Sequence, residues 1–131
     1  MKKRILAMFL SVMLLSAIVV IPAHALSPSS SGSYKGYRYS GSASIGHDFG
    51  MATTQCNNVV LLRAVAEFHY GYGSERDKYV KHEEANSSTF VYATAVAKEA
   101  VQENIVPKYT YGEHYVCPEG NWQKLTTKAN A

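Results

Sequence analysis

Apolar and polar positions alternate along much of this chain. From Val59 to Tyr70 the even positions are Val60, Leu62, Ala64, Ala66, Phe68 and Tyr70, whereas the odd ones include Arg63, Glu67 and His69. A strand turns successive side chains to opposite faces, so this period predicts a central strand over 59–70, with core on one side and water on the other. Propensity alone would allow a helix over LLRAVAEF, but the β-branched start and aromatic end favour the strand. The pattern recurs in YKGYRYSGSASI, where Tyr37, Tyr39, Ala43 and Ile45 alternate with Arg38, Ser40, Ser42 and Ser44. In KYTYGEHYVC, Tyr109, Tyr111, Tyr115 and Cys117 share one face.

The segments between are read from their punctuation. GHDFGMATTQ is a turn and a short strand. PEGN is a turn, with Pro first and Gly where a positive φ is cheap, and WQKLTT returns as the last strand. TFVYATAVAKEA begins as a strand and drifts into a helix-compatible run, which leaves the border at 96–104 open. The polar GYGSERDKYVKHEEANSS (71–88) reads as a long mobile connection, and LSPSSSGS (26–33) has the composition of a flexible tether. Five or six short strands between turn signals argue for an all-β sandwich or small barrel. The expectation is a small antiparallel β-sandwich forming a single domain over 34–131.

The N-terminus has a different pattern. A cationic MKKR precedes an apolar run, Ile5–Ile21, and then Ala23-His24-Ala25, a small-x-small site. That order predicts a signal peptide over 1–25 and a secreted, extracellular product; an uncleaved membrane anchor is the alternative. Cleavage alters the charge. Lys2, Lys3 and Arg4 are among the 13 basic residues, and without them the basic count matches the 10 acidic ones. A neutral chain has little electrostatic pull on nucleic acid or anionic lipid, so neither nucleic-acid binding nor stable membrane insertion of the mature chain is expected.

Compartment also bears on Cys56 and Cys117, the only two cysteines. Outside the cytosol two thiols in a small domain most simply form one bridge. Closing so long a loop would stabilise by roughly 4 kcal/mol on the chain-entropy model. The expectation is therefore a structural Cys56–Cys117 disulfide. A reactive thiol beside His114, or half of a metal site, stays open as an alternative.

Candidate chemistry is sparse. Glu67 and His69 share a strand face, but no HExxH, CxxC or HxH accompanies them, so neither metal nor cofactor is expected. His47 and Asp48 could supply a base and its orienting carboxylate, yet no GxSxG-type nucleophile turn is present. Asn86-Ser87-Ser88 matches a glycosylation acceptor only in form. The 10 tyrosines are more suggestive, because each joins a rigid apolar ring to a polar edge. Tyr34, Tyr70, Tyr72 and Tyr79 fall at expected strand ends or in the expected loop. They are the candidate binding aromatics.

With its signal peptide, its short Ser/Gly/Tyr-rich strands and the closing GEHYVCPEGNW, the chain resembles small exported all-β proteins of Gram-positive bacteria. The nearest named family is the lactococcin 972-like bacteriocins, and the likeness spans residues 34–125. It implies a small β-sandwich and antimicrobial action. This chain is longer and lacks that family's early tryptophan-containing segment, so no site residue is carried over. The expected function is a secreted, non-catalytic binding protein whose partner is a cell-envelope component or another protein. A bacteriocin-like antimicrobial is the alternative, and a small secreted hydrolase the outsider.

Overall fold

Alternation becomes antiparallel pairing throughout a computed structural model that describes residues 28–99 and 104–131. The strands are β1 (Ser29–Tyr34), β2 (Tyr37–Ile45), β3 (Phe49–Cys56), β4 (Leu61–Tyr72), β5 (Glu75–Ser87), β6 (Tyr92–Lys98), β7 (Ile105–Cys117) and β8 (Gln123–Asn130). They form two four-stranded sheets, ordered β1-β2-β3-β6 and β5-β4-β7-β8, every neighbour antiparallel. The sheets face each other across one core, as expected of a sandwich. The expected signal peptide, residues 26–27 and residues 100–103 of the open border lie outside the described residues. Among the described residues no helix is long and apolar enough to cross a membrane.

Among the described residues eight strands form where five or six were expected, for two reasons. Ser29–Ser33, assigned to a tether on composition, belongs to β1 and pairs with β2 through a two-residue hairpin. Lys35 and Gly36 both adopt positive φ there, the geometry that matches the twist of the flanking strands. The expected mobile connection over 71–88 is mostly β5, joined to β4 by Gly73-Ser74. No apolar face marked β5 because it is an edge strand. Its inward positions include the exposed Lys81 and Glu83, a common protection of a sheet edge. Residues 96–98 continue strand β6.

Strand β4 follows its predicted parity. Leu62, Ala64, Ala66, Phe68 and Tyr70 are buried, while Arg63, Glu67 and His69 are half-buried on the other face. Opposite them the first sheet presents small residues: Gly41, Ala43, Gly50, Ala52, Ala93, Ala95 and Ala97. So small a lining lets the sheets close tightly around a few large side chains, chiefly Phe68, Leu62, Val116 and His114. Gly41 shows how close the approach is. A Cβ built there would lie 2.0 Å from the His114 ring.

The expected Cys56–Cys117 disulfide is not formed; both cysteines are free and buried. Parity explains this. Cys56 continues the inward series of Ala52 and Thr54 on β3, so its thiol belongs to the core. Cys117 has the parity of Tyr115, on the outer side of β7, opposite the exposed Leu61. The two thiols thus differ in parity, Cys56 with the inward series of its strand and Cys117 with the tyrosines of β7, and they stay unpaired.

Candidate functional site

Register decides which side chains meet on the outer face of the second sheet. Across β5, β4, β7 and β8 one row reads Asn86–Arg63–Tyr115–Lys124, and the next Glu84–Val65–Glu113–Thr126. Two more follow: His82–Glu67–Tyr111–Lys128 and Val80–His69–Tyr109–Asn130. Tyr115 of β7 thus lies between Arg63 of β4 and Lys124 of β8, and Tyr111 between Glu67 and Lys128. The polar Thr110, Gly112 and His114 of the same strand point into the core.

At one end of this face Trp122 enters from the loop before β8. The Arg63 guanidinium lies 4.6 Å from its ring centroid and 5.9 Å from that of Tyr115. Tyr115 meets Trp122 edge to face at 6.0 Å. Arg63 is fixed from behind, its Nε donating to Asn86 Oδ1 at 2.9 Å and lying 3.1 Å from Glu84. Trp122 nevertheless stays 40% exposed, so the ring is held in place but not covered. At the other end Tyr109 stacks on His69 at 4.1 Å, with the Lys128 ammonium 4.1 Å from its centroid. A cation over an aromatic ring contributes about 0.5–1 kcal/mol where solvent reaches it.

Glu113 ties the middle of the face together. Tyr115 donates its hydroxyl to this carboxylate at 2.6 Å, and Lys124 donates at 2.9 Å. Burial pushes the Glu113 carboxyl up, but the two donors and the charges of Lys124 and His82 outweigh it, so it titrates below its ordinary range. Burial and the Glu113 carboxylate both push the Tyr115 phenol up. The Glu113 bond likewise holds Lys124 protonated to higher pH. The result is a surface of rigid rings, held cations and held carboxylates, suited to a ligand with both apolar faces and charged groups.

Three of the four candidate aromatics come together on β4 and β5, around the inward-facing Tyr70. Tyr70 stacks with Tyr79 at 5.8 Å, and Tyr72 meets both edge-on, at 5.7 and 5.1 Å. Tyr70 is almost fully buried, and its hydroxyl donates to the buried Glu99. Burial, then that bond, pushes its phenol well above the ordinary range. Lys81 approaches Glu99 at 3.4 Å. Tyr70 therefore acts as a packing residue, with Tyr79 its exposed rim. Tyr34 sits apart from them on β1, partly buried against the core.

The remaining candidates do not converge on a catalytic geometry. Glu67 lies 3.6 Å from both His69 and His82, a half-buried carboxylate between two imidazoles on the outer face. Asp48 lies 3.6 Å from Lys98, while His47 is exposed. Among the described residues no group of three His, Cys, Asp or Glu side chains is placed to hold a metal ion. His114 points away from Cys117 into the core, as three-residue spacing in a strand requires.

Sequence reasoning grouped Tyr109, Tyr111 and Tyr115 on one face but did not show that this face is the outer one. The signal was present in the same strand: Gly112 alternates with the tyrosines, and close sheet packing favours the glycine side. No known protein family, curated protein or solved structure gives a significant match to this chain.

Proposed function

We propose that this protein is an exported, non-catalytic binding module whose ligand seats on the outer face of β5-β4-β7-β8. The ligand class we favour is a cell-envelope component or another protein. One observation carries the reading. Trp122 is the single tryptophan, is 40% exposed, and is braced by Arg63 at 4.6 Å while no core covers it. Aromatic rings and arginines held in place before a ligand arrives lower the ordering cost of binding, the usual character of interface anchors. The N-terminal order of cationic, apolar and small-residue segments supports export.

Trp122 is also the reporter. Soluble cell-wall fragments and fractionated culture proteins are titrated into the protein while its tryptophan fluorescence is followed. A saturable change is expected with one of them. Arg63→Ala should weaken that binding by roughly tenfold or more, as truncation of an interface arginine does. Saturable binding that Arg63→Ala, Tyr111→Ala and Tyr109→Ala all leave unchanged would place the ligand elsewhere. Absence of any binding, together with growth inhibition by the purified protein, would replace this reading with the bacteriocin-like one.

A further inference from the structure

The four sheet edges differ in how they are protected. β5 carries Lys81 and Glu83 at inward positions, and its pairing with β4 shifts between Tyr70 and Tyr72. β8 carries Lys124 and Lys128, and β1 is a short strand made mostly of serine and glycine. β6 is the least protected, with its one charge, Lys98, at the end of the strand. Tyr92-Ala93-Thr94-Ala95-Val96-Ala97 contains neither charge nor proline, and Tyr92 and Val96 are 53% and 46% exposed. An unprotected edge of β-forming residues is a template for another strand.

The free backbone groups of this edge follow from the register. The Cys56 N–H donates to the Val91 carbonyl and the Glu99 N–H to the Asp48 carbonyl, both in line with the β3–β6 pairing. Odd residues from 91 to 99 therefore bond to β3. Tyr92, Thr94, Val96 and Lys98 turn their N–H and C=O groups to the open side, where no strand pairs among the described residues.

We propose that two copies of this chain pair antiparallel along β6, with Ala95 opposite Ala95 at the dyad. A second copy suits this edge because the segment is complementary to itself in that register. All four outward residues of each strand form hydrogen-bonded pairs, Tyr92 with Lys98 and Thr94 with Val96. Each Tyr92 ring lies across from a lysine, and the inward side chains that β6 brings to the junction are Ala93, Ala95 and Ala97. Antiparallel pairing keeps the inner faces of the joined sheets on one side. The two β1-β2-β3-β6 sheets become one eight-stranded sheet, and both aromatic outer faces of the second sheets point the same way. Such a dimer presents two binding faces at once, which raises avidity for a repetitive surface without any new contact. The pairing itself does not depend on the ligand reading.

The test is sedimentation of the native protein across micromolar to millimolar concentrations, beside Val96→Pro and Val96→Lys. The Val96 N–H makes no bond to β3, so proline there removes an intermolecular donor while sparing the ladder of the single copy. The expected result is a dimer whose dissociation constant rises by roughly 100-fold in either variant, as loss of strand addition implies. Should the proline variant fail to fold, the lysine variant decides, because its side chain is exposed and its backbone intact. Register is checked by mixing Thr94→Cys with Val96→Cys: the mixture should crosslink and Val96→Cys alone should not. A monomer at every concentration overturns the proposal. So does a dimer indifferent to both Val96 variants.

Discussion

Acidification should loosen the sandwich through one buried imidazole. His114 stands between the sheets with its ring against Gly41, Nδ1 3.2 Å from Thr54 Oγ1 and Nε2 2.7 Å from Thr127 Oγ1. Its neighbours assign the proton. The Thr54 hydroxyl donates to the Arg63 carbonyl at 2.8 Å, so it accepts from Nδ1–H, while Nε2 accepts from the Thr127 hydroxyl. Burial lowers the pKa from 6.5 to about 4, against smaller upward pulls from Glu113 and a backbone bond at Thr53. Between those two values the unfolded chain binds a proton that the folded one refuses. Stability therefore rises with pH through this window: it is fully present above about 6.5 and is lost as pH falls toward about 4. Each tenfold difference in proton affinity corresponds to about 1.4 kcal/mol, so the whole window is worth about 3 kcal/mol. That is a large share of a net stability of about 5–15 kcal/mol. Urea unfolding at steps from about pH 7.5 to about pH 4 measures it for the native protein and His114→Gln. Glutamine keeps a donor and an acceptor but does not titrate. The variant should be weaker at neutral pH and should lose less stability on acidification. Glu113 and the other carboxylates titrate in both proteins, so they cancel in the difference. Equal slopes for the two proteins between about pH 4 and about pH 6.5 would refute the assignment.

Other outcomes follow from the same core. The Thr110 hydroxyl is buried without a hydrogen-bond partner, so Thr110→Val should stabilise by about 1 kcal/mol in urea unfolding; a loss of that size would mean the hydroxyl is satisfied. Gly41→Ala should destabilise by about 3 kcal/mol, because its Cβ would meet the His114 ring at 2.0 Å; a neutral result would mean the imidazole can swing aside. Alkylation after unfolding without reductant should label both Cys56 and Cys117, and reductant should leave the unfolding midpoint unchanged. A shifted midpoint or a mass two hydrogens short would contradict the free thiols.

Where core demanded alternation, the fold was legible. Val60 to Tyr70 and Tyr37 to Ile45 follow their predicted faces because one side of each strand meets the opposite sheet. β1 and β5 were not legible, since edge strands answer to backbone pairing more than to burial. The serines of β1 and the charged run of β5 carry no apolar period to read. The candidate site was legible only in part. Tyr109, Tyr111 and Tyr115 were grouped, whereas Arg63, Trp122 and Lys124 join them through register between strands far apart in the chain.

By itself the sequence determined an all-β chain, the parity of its core strands and the turn at Pro118–Gly120, because these depend on local sterics and on hydrophobic period. Only the tertiary structure decided which face of β7 is inside. Aromatic bulk would favour Tyr109, Tyr111 and Tyr115 there. The interior instead takes Thr110, Gly112, His114 and Val116, since the first sheet opposes them with glycine and alanine at too close a spacing for tyrosine rings. The same constraint gives Cys117 the parity of the tyrosines while Cys56 keeps that of the inward series of its strand, and both buried thiols stay free where compartment suggested a disulfide. Pairing between distant strands sets such distances, and no period within one strand records them.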